Sequence, residues 1–384
     1  MTAKRSYDVL IYLPSVTPLL GGGSGRPAGG AETQIVLLAR ALARRRVGVC
    51  VVAFPSEDGV RLSLEGVDIL VRPVHKAHQP LVGKLHEVAT IGRAVAQVDA
   101  RVVVARVAGP QVGLVALAAK LLRRKFVYSS ANIVDFDFPA LGFRRRDLVL
   151  YRLGIRLADE IVVQTEEQAE LCRERFRKPC VVIKSIAEPA EGIGEPEALL
   201  WIGRLVWYKQ PLAFVELARA LPDVPFRMLV VPTPEGGSVP DEVRRAAAGV
   251  PNLELLEPRP RSSVLNLIAR AAAVVNTSDY EGMPNIFLEG WSRGVPALAL
   301  SHDPDGVIER HRLGEFACGS HERLVTGARK LWEGRHDAAE LAERCRAYVV
   351  AEHSEDAVAV RWAQALGVVV RLETPVDLRE VAEC

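Results

Sequence analysis

The chain has 384 residues, more than a single hydrophobic core usually serves, so two α/β domains are the starting expectation. Its 49 basic and 47 acidic side chains leave a formal charge of +2, and nothing in that balance points to nucleic acid. The six cysteines, at 50, 172, 180, 318, 345 and 384, form no CxxC pair and no Cys/His cluster at metal-ligand spacing, which fits a reduced, cytoplasmic chain without a zinc site.

The N-terminus MTAKRSYDVLIYLPSVTPLL sets basic residues before an apolar run, as a signal peptide does. Asp8, Pro14 and Pro18 interrupt that run, and residues 7–13 read instead as a first buried strand. The longest apolar stretch, VVVARVAGPQVGLVALAAKLL, is broken by Arg106 and by Gly109-Pro110, short of the roughly 18 uninterrupted residues that argue for a membrane span.

Short β-branched runs then alternate with Ala/Leu/Arg-rich segments of helical period: DVLIYL, ETQIVLLARALARR, VGVCVVAF, HEVATIGRAVAQ, RVVVA, QVGLVALAAKLL, KFVYSS, IVVQ, VVIK. This is the pattern of parallel strands joined by crossover helices. It stalls at AEPAEGIGEPEA, residues 187–198, which reads as a linker, and restarts with ALLWIG, QPLAFVELARAL, FRMLVV and their successors. The expectation is two Rossmann-like, doubly wound domains, residues 1–187 and 198–350, facing across a cleft, with ligands at the carboxyl ends of the strands. Residues 351–384 form a tail whose amphipathic segment SEDAVAVRWAQAL is expected to pack back on the first domain.

Three places carry chemistry. In GGGSGRPAGGAE, residues 21–32, GSGRPA matches the dinucleotide fingerprint only formally, because Pro14, Pro18 and Pro27 surround it. Gly29 and Gly30, directly before a helix, are better candidates, since glycine permits close backbone approach and a helix N-terminus offers free amides to a phosphate. In WIGRLVWYKQP, Arg204 and Lys209 follow a strand end and read as solvated cations facing the cleft. In SDYEGMPNIFLEG, Pro284 suits a first helical position and Gly294 a residue past the end, predicting a short helix over about 284–293. The turn Gly282-Met283-Pro284-Asn285 would aim that helix's amides at an anion. Glu289, among Ile286, Phe287, Leu288 and Trp291, needs hydrogen-bond donors, and sugar hydroxyls are suitable ones. Glu281 sits ahead of the amides. A ligand with hydroxyls at both ends and a diphosphate between, a nucleotide sugar, fits this spacing. The residues alone leave open that Glu281 caps the helix and that Glu289 pairs with an arginine.

EGMPNIFLE resembles the E-x7-E motif of family 4 of the retaining glycosyltransferases, which adopt the GT-B fold. GGAE at 29–32, ADEIVVQTEEQAELC at 158–172, GRLVWYK at 203–209 and GVPALAL at 294–300 stand in order where that family has counterparts. The resemblance implies that Glu281 contacts the donor sugar, Glu289 the ribose hydroxyls, Arg204 and Lys209 the diphosphate, and Gly30 amides the phosphate from the opposite domain. It implies hexose transfer from a nucleoside diphosphate sugar to a saccharide or lipid-linked hydroxyl acceptor, with no metal and no cofactor. Many members carry a histidine in a first-domain loop near the sugar. Here that loop reads YSSANIVDFDFPALG, with Asn132, Asp135 and Asp137 as acceptor-side candidates. DFD also looks like the metal-binding DxD of the other glycosyltransferase fold, but belongs to a different architecture. The eight histidines form no HxxxH pair and read as core or solvated. Arginines 123, 124, 144–146, 152 and 156, interleaved with Leu, Val and Tyr, describe a basic amphipathic surface suited to peripheral contact with the anionic inner face of a membrane. Two other readings stand beside transfer: a nucleotide-sugar epimerase or glycoside phosphorylase of the same fold, and a non-catalytic nucleotide-sugar-binding subunit of a transferase complex.

Overall fold

A computed structural model of the chain describes residues 6–13, 29–53, 61–71, 80–137, 141–190, 194–231, 233 and 236–370. Most of the glycine loop read above, residues 21–28, and the last 14 residues of the tail lie outside the described residues.

Two sheets organise the molecule. The first has the order β3-β4-β2-β1-β5-β6-β7-β8, from β1 (Ser6–Tyr12), β2 (Val49–Ala53), β3 (Arg61–Leu64), β4 (Val67–Val71), β5 (Asp99–Arg106), β6 (Lys125–Ser129), β7 (Glu160–Val163) and β8 (Val181–Val182). All its pairings are parallel except β3 with β4. That hairpin is a departure from the alternation read in the sequence. Its turn is Glu65-Gly66, with φ of 48° and 81°, the two positive angles that a tight two-residue hairpin needs. The second sheet has the order β11-β10-β9-β12-β13-β14, from β9 (Ala198–Arg204), β10 (Phe226–Val231), β11 (Leu253–Leu256), β12 (Ala271–Asn276), β13 (Ala297–Ala299) and β14 (Gly314–Phe316), all parallel.

In each sheet the first strand of the unit lies centrally, between β2 and β5 in one and between β10 and β12 in the other. Strand order reverses beside it, and the loops there splay apart and open a crevice at the carboxyl ends. Helix α1 (Gly30–Arg44) follows β1 at the first switch point; the segment after β9 and the segment after β12 meet at the second. The molecule therefore comprises two Rossmann-like units.

The units are tied together away from the crevice. Helix α12 (Ala339–His353), which follows α10 (Val307–His311) and α11 (His321–Glu333), belongs to the second unit, with Cys345, Tyr348 and Val349 in its core. After Ser354 the chain crosses to α13 (Glu355–Leu366), whose Val358, Ala359, Trp362 and Leu366 pack with Ile35, Leu38 and Leu42 of α1. Arg45, only 6% exposed, pairs with Glu355 and Asp356 and holds the start of α13. The two crossing segments bind each other: Ala187 N–H donates to His353 O at 3.0 Å, and the His353 ring bonds Ser185 O through Nδ1 at 2.7 Å.

Candidate active site

The predicted short helix is α9 (Asn285–Trp291), numbering α2 (Pro80–Gln97), α3 (Gln111–Leu121), α4 (Arg145–Leu157), α5 (Glu166–Phe176), α6 (Pro211–Ala220), α7 (Val239–Ala247) and α8 (Arg261–Ala269) before it. Pro284 caps it in extended conformation and Gly294 ends its exit with φ 78°. Phe287, Leu288 and Trp291 anchor its inner face in the second core. What the helix presents outward meets the first unit. Asn285 Nδ2 donates to the carbonyl of Gly30 at 2.9 Å, and Gln34 Nε2, one turn into α1, donates to Asn285 Oδ1 at 3.2 Å. The beginnings of α1 and α9, from opposite units, thus converge at one point. Gly29 is the cap of α1 in extended conformation. A Cβ on Gly30 would lie 2.9 Å from Asn285 Nδ2, so a side chain there would displace that amide.

Lys209 and Glu281 form an ion pair with side chains 20% and 12% exposed. This corrects the reading of Lys209 as a solvated cation. The pairing is enforced by backbone: Thr277 Oγ1 donates to Lys209 O at 2.7 Å and accepts from Trp201 Nε1 at 3.0 Å, while Asp279 N–H donates to Tyr208 O at 2.9 Å. Ser278 Oγ donates to Glu281 at 2.9 Å. Burial alone would raise the Glu281 carboxyl, but the Lys209 ammonium and the Ser278 hydroxyl outweigh it and hold the group below its ordinary value. Arg204 is exposed and donates to the Tyr208 hydroxyl at 2.7 Å.

Glu289 answers to a different environment. Burial raises its carboxyl above the ordinary value despite Arg261 at 2.8 Å, and Arg261 also holds Glu188 of the linker at 2.7 Å. The arginine pairing left open by the sequence is therefore present in the structure. Thr33, Gln34, Glu188, Arg261, Asn285 and Glu289 line a crevice between α1 and α9.

Gly282, Met283 and Pro284 are buried, Met283 in the core of the second unit and Gly282 against the first unit. Ile133 N–H donates to Glu281 O at 3.3 Å, and a Cβ on Gly282 would meet Ala131 O at 2.8 Å. Two residues that sequence reasoning passed over support this turn. His302 Nε2 bonds Gly282 O at 3.0 Å, which requires the proton on Nε2 because a carbonyl only accepts. Gln164, with its amide turned to satisfy both sides, donates to Ala131 O at 3.0 Å and accepts from Arg106 at 3.1 Å. Arg106 is 7% exposed, donates to Ser129 Oγ at 2.7 Å, and is lowered to about 10 by burial. The only signal for Gln34, Gln164 and His302 was position: each lies in a segment that borders a strand's carboxyl end.

The acceptor-side candidates separate. Asp135 is buried and accepts from Tyr128 OH at 3.1 Å, Ser130 Oγ at 3.0 Å and Ala131 N–H at 2.7 Å, so its carboxylate is committed to shaping the loop. Asn132 caps the same short turn (Ile133–Phe136) by accepting from Val134 N–H at 3.2 Å. Asp137, just past that turn, is half-buried at the junction. Among the described residues no group of three or more His, Cys, Asp or Glu is arranged to hold a metal.

The family profile "Glycosyl transferase 4-like domain" matches residues 29–184, and "Glycosyl transferases group 1" matches residues 196–349. The chain is a glycosyltransferase. Sucrose-phosphate synthase from Thermosynechococcus elongatus shares the enzyme's fold at TM-score 0.75 and 14% identity, over 94% of this chain and 98% of that one. The Anabaena protein Alr3699/HepE, solved with UDP and glucose, matches at TM-score 0.72 and 15% identity over 94% and 99%. WaaG, a glycosyltransferase of lipopolysaccharide biosynthesis, matches at 0.66 and 16% over 92% and 99%. These likenesses establish the glycosyltransferase as GT-B in fold. No curated protein matches it in sequence.

Proposed function

We propose that the enzyme moves a hexose, with retention and without a metal, from a nucleoside diphosphate sugar to a hydroxyl of a saccharide or lipid-linked acceptor. The observation that carries this reading is the convergence of the α1 and α9 beginnings at Gly30 and Asn285, beside the Lys209–Glu281 pair. Unpaired amides at helix starts favour an anion. Lys209 can share its charge between Glu281 and a leaving phosphate, with Arg204 as a second cation at the same strand end. Glu281 stays ionised and accepts from the donor sugar's hydroxyls. Glu289 exchanges Arg261 for ribose hydroxyls at the nucleoside end. The acceptor oxygen attacks the anomeric carbon from the face of the departing phosphate; as the carbon–phosphate oxygen bond breaks, a phosphate oxygen takes the acceptor proton. Preorganised cations supply what a metal would.

Thermal-shift titration with UDP, GDP and their sugars tests this: at least one pair should raise the melting temperature by mass action, and Glu289→Ala should weaken the diphosphate effect. The absence of any nucleotide response in the parent would refute it. Donor turnover without acceptor would favour epimerisation, and binding without transfer or hydrolysis a non-catalytic subunit.

A lipid-linked acceptor is supported by the surface of α3 and α4. Val149 of α4 is 64% exposed, close in sequence to the exposed Arg144, Arg145 and Arg146, and Leu121 at the end of α3 is 83% exposed. No helix among the described residues is long and apolar enough to cross a membrane. Flotation with anionic but not zwitterionic vesicles is expected; equal recovery with both would argue against peripheral attachment at the inner face of the membrane.

A further inference from the structure

We infer that Trp207, Tyr208 and Tyr280 form a stacking platform for a sugar ring of the acceptor, which makes the acceptor a saccharide at its reacting end. The inference rests on the donor reading above, because Glu281 fixes which end of the crevice receives the sugar.

Tyr208 and Tyr280 lie face to face, with centroids 5.0 Å apart and planes inclined by 13°. Trp207 meets both edge-on, at 5.8 Å and 84° to Tyr208 and at 5.9 Å and 74° to Tyr280. These are favoured ring geometries and fix all three orientations. Hydrogen bonds lock the carrier loops: Gln210 Nε2 donates to Asp279 at 2.9 Å, and Arg204 donates to the Tyr208 hydroxyl at 2.7 Å. Despite this support Trp207 remains 61% exposed. A rigid aromatic held in water is ready for a ligand at little ordering cost.

Position selects the ligand. Tyr208 precedes Lys209 and Tyr280 precedes Glu281, so the cluster rims the sugar end of the crevice. The nucleoside half runs the other way, towards Glu289 about one turn into α9. Across the gap stands the first-unit turn, whose Ile133 N–H reaches Glu281 O at 3.3 Å and which carries Asp137 just beyond. The rim is polar: Asp279 is exposed, and Asp137 and Gln210 are half-buried. A wholly apolar partner would strip water from these groups without replacing their hydrogen bonds. A pyranose lays its C–H face on a ring and offers hydroxyls to the rim, which is the mixture of aromatic and few polar groups typical of small-ligand sites.

The test is isothermal titration calorimetry of the full chain, in the presence of the nucleoside diphosphate that stabilises it most, with maltose, cellobiose and N,N′-diacetylchitobiose. At least one disaccharide should bind the parent. Trp207→Ala should weaken that binding about tenfold, the upper end of one stacking contact, and Trp207→Phe, which keeps a ring, should weaken it less. Nucleoside diphosphate affinity should be unchanged in both. No disaccharide binding by the parent, equal binding by Trp207→Ala, or a matching loss of nucleoside diphosphate affinity, which would place the base on this ring, overturns the inference. A parent that binds a disaccharide but no nucleotide would instead count against the donor reading.

Discussion

Gly282→Ala isolates the junction of the two units from the nucleotide site itself. A Cβ at this position would lie 2.5 Å from the Gln164 amide, 2.8 Å from the Ala131 carbonyl oxygen and 3.1 Å from Gln168 Nε2. The Gln164 side chain can rotate away, but Ala131 offers only backbone. Ordinary contact begins at 3.4 Å, so the turn must withdraw from the first unit by about 0.6 Å. The same retreat takes the Ile133–Glu281 hydrogen bond from 3.3 Å beyond bonding reach. Gly282 is not among the positive-φ glycines, so alanine imposes no backbone strain and the second unit keeps its fold. Misplacement by about 1 Å costs roughly a hundredfold in rate, and a shift of this size should cost about ten- to a hundredfold. The assay is release of nucleoside diphosphate from donor with acceptor present, beside calorimetric affinity for the diphosphate alone. Transfer should fall while affinity stays within about twofold, since the groups proposed to hold the diphosphate and ribose do not touch the new methyl. Parent-level transfer would refute the reasoning, as it would show that contact between the units at this turn does not position the reaction.

Lys209→Ala removes one of the two charges proposed to stabilise the leaving diphosphate and should slow transfer roughly a hundred- to a thousandfold. Because the structure pairs Lys209 with Glu281, the variant also strands a carboxylate whose side chain is 12% exposed, at about 2–3 kcal/mol, below the full cost of a buried pair because Lys209 keeps some solvent. Chemical denaturation measures the second effect. Parent activity abolished by EDTA and restored by magnesium or manganese would remove the metal-free mechanism. His353 supplies a pH prediction. Burial lowers its ring from 6.5 to about 4, so the unfolded chain binds the proton more tightly. Stability is complete above pH 6.5 and falls as pH drops towards 4, by about 3 kcal/mol in all. Melting temperatures between about pH 7 and pH 4 should show this loss in the parent and much less of it in His353→Gln; parallel curves would exclude the ring as its source.

The alternation of apolar runs with helical segments was enough to establish two doubly wound units, because strand and helix periods are local and repeat over many residues. Local signals also bounded α9: proline before it and a left-handed glycine after it. The β3–β4 hairpin escaped because its strands are short and its turn is made by glutamate and glycine instead of asparagine and glycine. In the site, the sequence marked Glu281, Lys209, Gly30 and Glu289 as candidate ligand groups, but it did not say which groups of the chain itself they meet. Lys209 meets Glu281 across 72 positions, Arg261 meets Glu289 across 28, and Asn285 meets Gly30 across 255. Asp135 turned inward for the same reason: four donors, from Tyr128, Ser130, Ala131 and Asn132, converge only when β6 and the following turn fold together. A charged group's role follows from the groups it faces after burial. Sequence sets its chemistry and its place on a strand end or helix start, while the packing of one unit against the other sets its neighbours.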